Sequence, residues 1–149
     1  MPREDIEKDF PNLRTSPWTI TSPIADVPNC IGWVLHDNNQ FWDPSAVSVR
    51  GYYWPPGVPR VWNLNSIKQV FEIHGYELCG DAELETGFEK IAVYVDEEGV
   101  PTHATFQKES GEWSSKLGVW EDIEHARVDS LESYAYGTVG FIMKRKRLR

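Results

Sequence analysis

Two cysteines in 149 residues are too few for a disulfide framework. Cys30 and Cys79 stand in dissimilar surroundings, so reduced thiols and a cytoplasmic location are the simpler expectation. Long apolar runs are missing, and a bilayer span needs roughly 20 such residues. The first nine residues are charged where a signal peptide would be apolar. Neither a phosphate-cradling glycine loop nor a G-x-S-x-G elbow occurs, so no nucleotide-type cofactor is expected. Cys30, Cys79, His103 and His125 lack paired spacing such as C-x-x-C, and Asp81, Glu83 and Glu85 lack the pattern of a calcium loop. No metal is expected. Positive charge is scarce too: 15 Lys and Arg against 23 Asp and Glu give a net charge of −8. Five of the positive charges crowd into residues 144–149, which leaves the rest of the chain more acidic still. An acidic body argues against nucleic acid as a partner, because phosphate contacts need a basic face.

What is plentiful is aromatic: seven Trp, six Tyr and six Phe, enough for one folded domain over 1–149. Five prolines in 1–28 predict an extended arm, with Trp18 and Ile20 in a short edge strand, and 144–149 reads as a basic tail. The best helix signal covers 65–75, where Ile67, Val70 and Phe71 share a face and Gly75 stops the turn. His74 in its last turn suits the helix dipole. Strand patterns follow over 90–95, 102–107, 112–118 and 137–144, and 120–125 reads as a turn or short helix. The fold class expected is α+β.

One stretch offers chemistry. In Asn29-Cys30-Ile31-Gly32-Trp33, Asn29 is a good N-cap and Cys30 falls in the first turn. Free N–H groups at a helix start favour thiolate over thiol, which suits a nucleophile; the opposing reading makes Cys30 one more buried core residue. A cysteine-led helix followed by an antiparallel sheet with a histidine at a strand start is a papain-like layout, and it makes His103 the candidate base. His36 lies off the Cys30 helix face, and His125, among Glu121, Asp122 and Glu124, reads as solvated or ion-paired. Tyr53-Trp54-Pro55, inside a loop too proline-rich to be a flexible linker, either packs as a lid or walls a pocket.

The NCIGW run, with Tyr53-Trp54-Pro55-Pro56-Gly57, Lys90-Ile91-Ala92-Val93-Tyr94, Thr102-His103-Ala104 and Trp113-Ser114-Ser115-Lys116-Leu117-Gly118, resembles a family of small bacterial proteins without a settled activity. More distantly the order of elements resembles the papain-like cysteine peptidase and amidase superfamily. That resemblance implies a short N-terminal helix carrying Cys30 on a small antiparallel sheet, and hydrolysis or transfer of an amide bond in a peptide or protein substrate. Cys30 would attack, His103 would serve as base, and Asp122 or Ser115 would orient it. Tyr53, Trp54, Trp113 and Lys116 would contact substrate. The competing expectation is a non-catalytic binding or accessory protein of the same fold, for example an acidic protein that neutralises a cationic partner.

Overall fold

Alternation along the C-terminal half of the chain, joined by one strand near the N-terminus, builds a seven-stranded antiparallel sheet among the described residues. The computed structural model describes residues 2–22, 29–117 and 121–147. Its elements are α1 (Pro2–Asp9), β1 (Trp18–Ser22), α2 (Cys30–Val34), β2 (Phe41–Trp42), β3 (Tyr52–Tyr53), α3 (Leu64–Glu72), β4 (Glu77–Cys79), β5 (Phe88–Val95), β6 (Pro101–Gln107), β7 (Trp113–Lys116), β8 (Asp122–His125) and β9 (Thr138–Lys146), with short 3-10 turns at Pro11–Thr15 and Val128–Leu131. The strands run β1-β8-β7-β6-β5-β9-β4, and β2 and β3 form a separate parallel pair. The class is α+β.

Period-2 alternation gives the sheet two buried faces. On one, Ile91, Val93, Ala104 and Met143 pack with Ile31 and Val34 of α2, Ile67, Val70 and Phe71 of α3, and Trp42 and Trp54 of the loop between them. On the other, Tyr94, Leu117 and Ile123 pack with Ile6 and Phe10 of the N-terminal segment, Leu13, Trp18 and Leu131. We call these the α2 face and the α1 face. Each core carries several fully buried large side chains, each worth on the order of 2–5 kcal/mol against truncation to alanine.

Three expectations need correction. The arm is not wholly extended: Pro2 opens α1, where a missing N–H costs nothing, Glu4 and Asp5 occupy the first turn and Lys8 the last. Trp18 fixes this helix, donating its indole N–H to Glu7 at 2.9 Å beneath the Arg3 guanidinium. The segment read as a turn or short helix is β8, because Ile123 and His125 face inward between β1 and β7. The basic tail does not begin at Lys144: its first residues are still strand, and they pair with the chain's own acidic residues. β9 runs through Lys146, and Lys144, Arg145 and Arg147 pair with Glu85, Glu89 and Glu109. No helix among the described residues is long and apolar enough to cross a membrane.

Candidate functional site

Cys30 does start α2, and Asn29 caps it, its side-chain oxygen accepting from Gly32 N at 3.3 Å. The same side chain clasps β2, accepting from Trp42 N at 3.2 Å and donating to Trp42 O at 2.9 Å. The helix then lies across β6 and β7, with the Trp33 indole donating to Ser114 Oγ at 3.1 Å. Cys30 is half-buried, packed against the α2-face core. Burial pushes the thiol up to about 11, over the opposing pull of the N–H groups of Ala104, Cys30 and Ile31 and the charge of Lys116. Five residues make too short a helix for a strong dipole, so the expected pull on the thiol is present and loses to desolvation.

His103 leaves the sheet on the opposite side. Ala104 faces Val93 on the α2 side, so its neighbour His103 falls beside Tyr94 on the α1 side. There its ring stacks on Tyr136 at 4.2 Å and 8°. The ring is 3% exposed, and Nε2 has no hydrogen-bond partner. Burial, and the neighbouring His125, depress its pKa to about 3. A base for work near neutral pH would be tuned close to 7.

The remaining predicted residues divide between the two faces. Lys116 and Asp122, opposite each other on β7 and β8, share the α2 side with Cys30, and both are buried. Ser115 and Trp113 alternate to the α1 side, opposite Ile123 and His125. Trp54 is buried core, its indole donating to the Val58 and Pro59 carbonyls, and Tyr53 is half-buried with its ring edge-on to Trp42. The two aromatics close the core like a lid.

Sequence reasoning misplaced His125, which is fully buried. Its Nδ1–H donates to the Arg127 carbonyl at 2.9 Å, and Nε2 lies 2.9 Å from Ser115 Oγ. Ser115 Oγ donates to Thr105 Oγ1 at 2.8 Å, which in turn donates to the Ser114 carbonyl. This serine–histidine pair is sealed from solvent, and burial lowers the imidazole to about 4, so it ties three strands together. The cue in sequence was the alternation of Ile123 and His125 with polar neighbours. A second network joins Glu89, buried on β5, to His36 Nε2 at 2.6 Å and Arg145 at 3.6 Å. Among the described residues no cluster of three His, Cys, Asp or Glu side chains could hold a metal ion.

A family model described as a domain of unknown function (DUF7689) matches residues 19–144. The chain belongs to the DUF7689 family. The DUF7689 match takes in the sheet almost whole, the Ser115–His125 network and all eight of the predicted site residues, and leaves α1 and Arg145 outside. No curated protein matches the chain, and no solved structure does.

Proposed function

We propose that this DUF7689 chain is a non-catalytic binding domain that keeps a papain-like order of elements without papain-like chemistry. The observation that carries the reading is the separation of Cys30 and His103: Cys30, on α2, packs half-buried against the α2 face, while His103 leaves β6 buried on the α1 face. A nucleophile and its base must come within hydrogen-bond reach, and a solvent-sealed imidazole near 3 serves no proton transfer at neutral pH. The contact surface is the loop between β2 and α3. Its indoles anchor it in the core, while Val47, Val49, Tyr52 and Val61 stand exposed. Tyr52 is held flat against Phe41 at 5.2 Å across the β2–β3 pair. Pre-ordered apolar side chains suit a protein partner, because little entropy is lost on docking. A cytoplasmic setting goes with this reading, supported by two unpaired thiols.

The test replaces Val47, Val49 and Val61 with serine. Binding of a hydrophobic dye to the native protein should fall severalfold with Tm unchanged; unchanged dye binding would remove the loop as the contact surface. Cysteine hydrolysis is the second reading, favoured by the N–H groups that converge on the Cys30 sulfur. It predicts amide or ester cleavage by the full chain that Cys30→Ala abolishes.

A further inference from the structure

The β2–α3 loop carries the opposite sign to the chain around it. Between Trp42 and Leu64 the charged side chains are Asp43, Arg50 and Arg60, a net charge of +1 in a chain whose total is −8. Asp43 is taken up locally, its Oδ1 accepting from Ser45 N at 2.9 Å and from Ser45 Oγ at 2.7 Å. Both arginines are exposed, and neither is ion-paired among the described residues. Elsewhere Arg3, Arg127, Arg145 and Arg147 each lie 2.6–3.8 Å from a carboxylate. The loop therefore presents two positive charges that the chain's own acidic groups leave unmet.

These charges are set among the exposed apolar side chains. Arg50 follows Val49 and Arg60 precedes Val61, and the Arg60 guanidinium donates to the Pro44 carbonyl at 3.1 Å, which ties the two arms of the loop together. Val47 and Val49 flank Ser48, whose φ of +57° is a left-handed conformation that serine seldom takes. The turn closes through Tyr52 N–H, which donates to the Val49 carbonyl at 3.1 Å. A surface of this kind is complemented by apolar side chains with the other sign beside them. We propose that the loop receives an acidic, apolar segment of a protein partner, its apolar side chains against Val47, Val49 and Val61 and its carboxylates on Arg50 and Arg60. The inference rests on the binding reading above and adds the sign and chemistry of the partner. Arginine suits carboxylates in particular, through its fork of N–H groups. An anionic membrane fits less well, because recruitment to lipid takes clusters of roughly four to eight basic residues and the acidic body is repelled.

The test titrates the full chain with three peptides that differ in charge alone, acetyl-ELWLE-amide and its QLWLQ and KLWLK counterparts, followed by the backbone ¹H–¹⁵N signals of Val47, Val49, Arg50 and Val61. The acidic peptide should bind about fivefold more tightly than the neutral one, the gain expected of two exposed ion pairs. The basic peptide should bind more weakly than either, although the chain as a whole is acidic. Salt at about 0.5 M should erase the difference. Arg50→Gln combined with Arg60→Gln should bring the acidic peptide down to the neutral one and leave the neutral peptide and Tm unchanged. Equal binding of the acidic and neutral peptides, or a ratio indifferent to the two arginines, overturns the inference while the loop keeps its role as contact surface. No saturable shift with any peptide up to about 10 mM overturns both. Shifts of the same signals on phosphatidylserine vesicles in place of the peptides, or on raising the concentration of the chain alone, assign the loop to a membrane or to a second copy and overturn the proposal.

Discussion

Acidification should unfold this protein through two histidines, and the size of the effect follows from their surroundings. His103 and His125 are both buried neutral, with pKa values pushed from 6.5 to about 3 and about 4 by desolvation. A depressed folded-state pKa means that the unfolded chain binds protons first. The stability contributed is therefore present above pH 6.5 and drains as pH falls from 6.5 toward the folded values. At pH 5.0 the unfolded imidazoles are protonated and the folded ones are not, so each histidine withdraws about 2 kcal/mol relative to pH 7.5, and the pair about 4. The figure at pH 5.0 holds for any folded pKa well below 5. Urea melts at both pH values measure the total, and His103→Phe isolates one share. Phenylalanine keeps the ring on Tyr136 and removes the unpartnered nitrogen. The variant should lie within about 1 kcal/mol of wild type at pH 7.5 and about 2 kcal/mol above it at pH 5.0. A variant offset that is the same at both pH values, or an NMR titration of His103 near 6.5, would refute the reasoning.

Other substitutions probe the joints of the fold. Asn29→Ala removes the α2 cap and both ties to Trp42, and should lower stability by about 2 kcal/mol in urea melts, against about 1 for Asn63→Ala, which caps α3 alone. Gly137→Ala should be among the worst single changes, because φ is +77° and a Cβ would fall 1.9 Å from the Val95 carbonyl oxygen; a Tm within 2 °C of wild type contradicts that. Glu89→Gln leaves the buried side of Arg145 without its counter-charge and should cost about 3 kcal/mol by chemical denaturation.

How much of this was legible in sequence depended on whether a cue was local. The Asn29 cap with Cys30 behind it, the α3 helix with Gly75 in the turn that follows it, and the β5–β6–β7 meander follow from caps, periodicity and turns. His74 also behaves as a helix-end residue, its Nδ1 bonded to the Val70 carbonyl at 2.8 Å. α1 was obscured by proline density, although Pro2 sits where a helix tolerates it. β8 was obscured by its polar residues, of which Asp122 and His125 are buried by neighbours on either side. The pairing of Cys30 with His103 depended on parity: one residue's difference along β6 decides which face a side chain occupies, and no local signal fixes that. Ala104, not His103, is the β6 residue that meets α2.

The Cys30 sulfur bears most directly on the account. In a Cys79→Ser background, with Cys30 the one remaining thiol, labelling by a small thiol reagent should be followed from pH 6 to 10 in native and unfolded protein. Held at about 11 against an ordinary 9.0, the native thiol carries roughly a hundredth of the unfolded thiolate at neutral pH, so it should react at least a hundredfold more slowly. Native labelling as fast as in the unfolded chain, with a rate already at plateau below pH 7, would mean an activated nucleophile and contradict a structural Cys30.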